Sequence, residues 1–285
     1  MRVRGDARQI LVDRIVRVAR GVAIAYAVLF IALVGFQRSL VFRPWLIPLE
    51  DVAQRPFVNG AFTVGVRTAD GQTLKGFWKP PVGAAPVIVA FHGSADVPQR
   101  HFERFTTSPW SEKGYGVLAI AFRGFPGSSG QPSEKGLIED GRAAYEFVQK
   151  HSPSSPVILH GYDLGTGVAI AVGAEKEALA VILDAPYVSL ADVVWSHFPL
   201  LPTFALFDKF ASDDRIRNVR ARIFIVHGTD DRVIPIGHSD VLVSIRPDTG
   251  YFPVNGGDHI DILGRKDVEI EREISKAARQ VRRHR

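Results

Sequence analysis

A chain of 285 residues, 46% hydrophobic and 23% charged, is long enough to bury a sizeable α/β core. Its lack of cysteine excludes disulfides, thiolate metal sites and a cysteine nucleophile. The net charge of +5 sits at the ends, with +4 in residues 1–20, +5 in residues 276–285 and −4 between them. This distribution argues against a nucleic-acid-binding face and suits an anionic membrane surface or solvated tails.

The basic segment 1–20 leads into an uncharged run, Gly21 to Phe36, bounded by Arg20 and Arg38. As a helix it spans roughly 24 Å against a hydrocarbon core of about 30 Å, a shortfall that snorkelling arginines and a thinned bilayer make up. No small-residue cleavage site follows, because the chain continues as QRSLVFRP, so an uncleaved transmembrane anchor over residues 21–38 is favoured over a removed signal peptide. The arginine excess before the anchor predicts a cytoplasmic N-terminus and a globular part on the far side of the membrane.

A connector, 39–56, precedes one α/β domain, 57–285. FTVGVRT and LKGFWKP flank Asp70-Gly71, a hairpin turn signal. The apolar runs PVIVAFHG, GVLAIAF, PVILHG, AVILDAP and RIFIVHG then alternate with amphipathic stretches near 133–150, 164–177 and 236–246. Short Val/Ile/Leu runs between helices predict a mostly parallel sheet covered on both faces.

Each run ends in polar chemistry, where ligands bind in open α/β sheets. The stretch HGYDLGTG has the outline of a G-x-S-x-G nucleophile turn with Asp163 in the serine position. Small neighbours at Gly161, Gly165 and Gly167 suit a strained strand-to-helix turn, which would aim the Leu164 N–H into the site. As a plain helix N-cap, Asp163 would need no further explanation. Downstream, HGTDDRVIP supplies an acid at Asp231, with Asp230 as the neighbouring alternative, and GGDHID supplies His259. The order nucleophile, acid, histidine is that of α/β-hydrolases.

With FQRSLVFRP, FHGSA, FRGFPGSSGQPSEKG, GYDLGTGVA, HGTDDRVIP and GGDHID, the chain resembles the α/β-hydrolase superfamily. Within it the chain is similar to a membrane-anchored, nearly lidless branch of lipid hydrolases and protein depalmitoylases. The resemblance implies an α/β-hydrolase fold, Asp163, Asp231 and His259 as catalytic residues, and an oxyanion hole from Ser94, Ala95 and Leu164. The short insert 187–219 carries Tyr187, Trp195 and Phe198 which, with Tyr162, are candidate substrate-binding residues for a small-molecule or lipid-like substrate. His92, His160 and His227 read as structural, and Arg123 as shaping the RGFPGSSG loop. No cofactor and no metal are expected. Three readings follow: an ester or thioester hydrolase with an altered nucleophile position, an Asp-nucleophile hydrolase of alkyl halides or epoxides, and an inactive, membrane-tethered binding protein. Leu164 in place of the tryptophan usual in Asp-nucleophile relatives, and the lack of room for a full cap, separate the chain from known dehalogenases and epoxide hydrolases.

Overall fold

Alternation along one strand organises the molecule. In β3 (Val87–Phe91), Val87, Val89 and Phe91 pack into one apolar cluster while Ile88 and Ala90 enter another, so the sheet is buried on both faces. A computed structural model describes residues 3–47, 58–199 and 201–283.

The eight strands are β1 (Phe62–Arg67), β2 (Thr73–Lys79), β3, β4 (Gly116–Ile120), β5 (Val157–Tyr162), β6 (Ala180–Asp184), β7 (Arg222–Gly228) and β8 (Gly250–Val254). They form one sheet in the order β1-β2-β4-β3-β5-β6-β7-β8. β1 and β2 form the expected hairpin, β2 also pairs antiparallel with β4, and the other pairs are parallel. One face carries α3 (Glu134–His151) and α4 (Leu164–Glu175). The other carries α2 (Pro98–Phe105) and α8 (Asp267–Arg283), which supplies Ile270 and Ile274, while α7 (Gly237–Ile245) connects β7 to β8. The stretch from 164 is not amphipathic: Leu164 to Gly173 are all buried, because α4 is wedged between the sheet and its neighbouring helices. Residues 276–283 of the basic C-terminal run belong to α8.

At the N-terminus the apolar run lies inside a longer helix. A single helix, α1, runs Val3–Phe42 and includes residues 21–38, because nothing before Gly21 breaks it and its end is set by Pro44, which disfavours helical geometry at Arg43. Arg43 lies in the left-handed region with φ of 48°. The segment Gln9–Phe42 is long and apolar enough to cross a membrane. Its last turn is part of the domain. Phe42 is fully buried and meets Phe210 edge-to-face at 6.5 Å, a burial worth roughly 1.5–3 kcal/mol. Most of the predicted connector, 48–56, lies outside the described residues.

The insert folds as α5 (Leu190–His197), a 3-10 turn (Thr203–Ala205) and α6 (Ser212–Ile216). It is tied to α1. Gln37 Nε2 donates to the Ala205 carbonyl at 3.3 Å, the Phe207 N–H donates to Gln37 Oε1 at 2.8 Å, and Arg38 pairs with Asp208 at 2.8 Å.

Candidate active site

Asp163 follows β5 directly and opens α4 with φ 49° and ψ −118°, a strained conformation for a residue with a side chain. Its glycine neighbours explain how the strain is held. A Cβ on Gly161 would overlap the backbone of Gly165, one on Gly165 the Phe91 carbonyl, and one on Gly167 the Tyr187 hydroxyl. The turn is locked by the Asp163 N–H donating to the Asp184 carbonyl (3.0 Å) and by Thr166 Oγ1 donating to the Asp163 carbonyl (2.6 Å). The Asp163 side chain caps no N–H of α4, so the plain helix-cap reading has no hydrogen bond behind it.

The carboxylate faces the loop after β3 instead. Both the Ser94 N–H (2.8 Å) and Ser94 Oγ (2.9 Å) donate to Asp163 Oδ2. Gly93 makes this approach possible, since a Cβ there would lie 2.9 Å from the same oxygen. Asp96 braces the loop by accepting from the Val97 N–H (2.8 Å) and from His101 Nε2 (2.7 Å), and its pKa is lowered: burial opposes ionisation but the His101 charge and hydrogen bond outweigh it.

Across the sheet edge, β7 ends at Gly228, where a Cβ would overlap the Gly257 carbonyl; the two loops therefore run in close contact. Asp231 Oδ1 accepts from the N–H groups of Val233 (2.8 Å) and Ile234 (2.9 Å). Its Oδ2 accepts from His259 Nδ1 at 2.7 Å. Burial of Asp231 opposes its ionisation, but hydrogen bonds from His227 and His259 win and hold its pKa well below the usual carboxylate range. The ionised carboxylate can only accept, so the Nδ1 of His259 carries the proton and Nε2 is left as the basic nitrogen. Burial works against a charged His259, yet the Asp231 hydrogen bond and the charges of Asp163, Asp231 and Asp258 raise its pKa above the ordinary 6.5. Asp230 is exposed and reaches Thr229, not His259, so Asp231 is the acid that meets the imidazole.

Other predicted residues fall differently. The Ala95 N–H is turned away from the cradle and donates to the Phe42 carbonyl at 3.4 Å. Leu164 stands at the first position of α4, where an N–H has no acceptor within the helix. Tyr162 is buried, with its hydroxyl donating to the His259 carbonyl (3.0 Å) and its ring 5.3 Å from the imidazole; it supports His259 rather than lining open space. Tyr187 is fully buried behind the turn and donates to the Leu164 carbonyl, so it has no surface to offer a substrate. Trp195 and Phe198 lie exposed on the insert. His92, His160 and His227 are buried and bonded within the core, and Arg123 joins Asp140 to Asp70 beneath the RGFPGSSG loop. Among the described residues no cluster of three or more His, Asp or Glu could hold a metal ion.

One contributor was not read from the sequence. Arg43 Nη2 donates to Ser94 Oγ at 2.8 Å, completing a chain of guanidinium, hydroxyl and carboxylate from the end of α1 to Asp163. The only signal was its place in FQRSLVFRP, which says nothing of a loop 51 positions away.

Residues 83–212 match the family described as serine aminopeptidase, S33. An uncharacterized protein of Mycobacterium tuberculosis, Rv2307c, is 30% identical over 239 residues, covering 82% of each chain. The chain belongs to the α/β-hydrolase superfamily. Another relative is the lysophosphatidylserine lipase ABHD12 of Xenopus tropicalis, 29% identical over 63% of this chain; the match spans about half of that lipase (51%). Among solved structures, the esterase Pf2001 of Pyrococcus furiosus superposes with a TM-score of 0.61 at 18% identity, over 83% of this chain and 95% of the esterase, a likeness of fold.

Proposed function

We propose that this protein is a membrane-anchored α/β-hydrolase acting on a lipid-like substrate, with Asp163 as nucleophile and Asp231–His259 as the acid–base pair. The observation that carries the reading is the seating of Asp163: Oδ2 rests on the Ser94 N–H and Oγ, leaving the other carboxylate oxygen to react. In the first step that oxygen attacks an sp³ carbon. A C–O ester bond forms to the enzyme as the carbon–halogen or carbon–oxygen bond breaks: a halide departs with the electron pair, or an epoxide oxygen keeps the pair as an alkoxide on the chain and takes a proton from water. In the second step His259 Nε2 takes a proton from water, and the resulting hydroxide attacks the carboxyl carbon of Asp163. Negative charge then gathers on Oδ2, where the Ser94 N–H already waits and the Leu164 N–H lies at the positive end of α4. Collapse expels the alkoxide, which His259 protonates, and the carboxylic acid left at Asp163 loses its proton to solvent, restoring the carboxylate.

The ester and thioester lineage supports a second reading, since relatives carry the names of lipases and esterases. Against it stands the same contact: Oδ2 occupies the donor that a substrate carbonyl oxygen would need, and attack at an acyl carbon would yield a strained energetic product, a mixed anhydride. The alkyl-ester route is therefore preferred, with an alkyl halide or epoxide of lipid-like chain as the electrophile. α1 is taken as the membrane anchor, with the N-terminus cytoplasmic and the domain on the opposite side.

Turnover of a long-chain epoxide or bromoalkane in ¹⁸O-water tests this. Label in the Asp163 carboxylate is expected, with none in the His259→Ala protein. Turnover without label in Asp163 would mean direct attack by water and remove Asp163 as nucleophile; no turnover of these probes together with p-nitrophenyl ester hydrolysis lost in His259→Ala would replace this reading with the ester hydrolase. No turnover of either kind would leave a binding protein that keeps the pocket.

A further inference from the structure

The insert sits beside α1 at the height of the apolar run. Phe30, Leu33 and Val34 of α1 face Val194, Leu201 and Leu206 across a recess of about 50 Å³. From Phe30 to Gln37 the helix climbs about 10 Å, so the insert reaches that far down a segment which, in a spanning helix, belongs within the bilayer. No linker relieves this. Arg38 is paired to Asp208, Gln37 is bonded to both ends of the 205–207 segment, and Phe42 is in the domain core. The uncharged run is also shorter than the hydrocarbon core is thick, which leaves no slack to lift the domain clear.

The outward side of the insert matches that position. Phe204 is 80% exposed, Phe207 62%, Phe198 61% and Trp195 57%. Large apolar rings gathered on one short segment mark an interaction surface. The Arg38 guanidinium lies 5.9 Å from the Phe207 ring, an arrangement of charge above aromatic that suits the boundary between headgroups and acyl chains.

We propose that the outer part of the insert, from Trp195 to Phe207, is a second membrane-binding element that dips into the leaflet on the catalytic side, so that the site takes its substrate laterally from the bilayer. The inference rests on α1 crossing the membrane, as proposed above. It adds that the domain itself is embedded, in one fixed orientation.

Full-length Trp45→Phe protein, reconstituted in phosphatidylcholine–phosphatidylglycerol vesicles, leaves Trp195 as the exposed tryptophan, since Trp78 and Trp110 are buried. Lipids brominated along the acyl chain near the headgroup should remove about half of the Trp195 emission, and lipids brominated near the chain end less, as expected for interfacial depth. The Trp195→Phe protein identifies that component. Absence of quenching at Trp195, with strong quenching of a Tyr26→Trp probe on α1, would overturn the embedding and leave the anchor standing. Absence at both positions would overturn the anchor as well. Trp195 shielded from aqueous iodide but untouched by brominated lipid would mean that a second copy or another protein covers the insert, which also overturns the proposal.

Discussion

The sheet edge and the insert use their residues in opposite ways. At the edge, Asp231 has both oxygens bonded, His259 is held by Asp231 and Tyr162, and Asp163 is fixed by Ser94 and by a turn in which three glycines touch backbone or hydroxyl atoms. On the insert, Phe198, Phe204 and Phe207 project into space with little packed against them. The difference teaches that the candidate site is fixed by dense, satisfied contacts on a rigid sheet, whereas the insert leaves apolar surface uncovered.

Substitutions at the edge should have the largest effects. Asp163→Ala or His259→Ala should lower turnover by about 10⁴-fold with little change in thermal unfolding, measured as initial rates and by calorimetry. A loss of less than ten-fold in either would remove that residue from the chemistry. Gly165→Ala should destabilise the fold by about 3 kcal/mol or more in denaturant titrations, because its Cβ meets the carbonyls of Phe91 and His92, which cannot move without disturbing the sheet.

A smaller, graded effect follows from His259. The base acts when neutral in the hydrolysis of the alkyl-enzyme, and its pKa is raised above 6.5, so kcat should climb with pH through a midpoint above that value, about ten-fold per unit on the acid side, while kcat/KM, set by alkylation, should not follow it. Stability runs the other way. The folded state favours the protonated ring, so this contribution is full below 6.5 and lost as pH rises through the folded-state pKa. A pH–rate midpoint below 6.5 would show that another group limits the reaction. Arg43→Ala should cost about ten-fold in turnover, the worth of one charged hydrogen bond on Ser94. Least of all, Phe204→Ser with Phe207→Ser should lower turnover of bilayer-held substrate by about three-fold and leave a short, soluble substrate unaffected, consistent with a loss of buried apolar area.

Much of the edge was legible because its signals are local. A glycine-framed aspartate after an apolar run, and an acid and a histidine in short motifs after later runs, need only a parallel sheet to be brought together. What escaped depends on distant parts of the chain. The Ala95 N–H was expected in the cradle but is taken by the carbonyl of Phe42, and Arg43 reaches Ser94 from the end of α1; neither pairing has a sequence period. Tyr187 stands beside an insert rich in aromatics, and only its burial against Leu164 and Gly167 separates it from them. Hydropathy marks only the apolar run of α1, whereas the helix continues through the flanking arginines to Phe42. Only the second half of α8 is basic; its first half is acidic and carries Ile270 and Ile274, one turn apart on its buried side.

The covalent step is the most direct test of the central claim. The His259→Gln protein is incubated with 1,2-epoxyhexadecane or 1-bromohexadecane as the probe and its mass is measured. Asp163 should alkylate and, without the base, remain so, giving a mass increase of one probe-derived alkyl group located on the Asp163 peptide and absent when Asp163→Asn is added. An unmodified Asp163 in a folded His259→Gln protein, with turnover of the same probe by the unaltered enzyme, would contradict it.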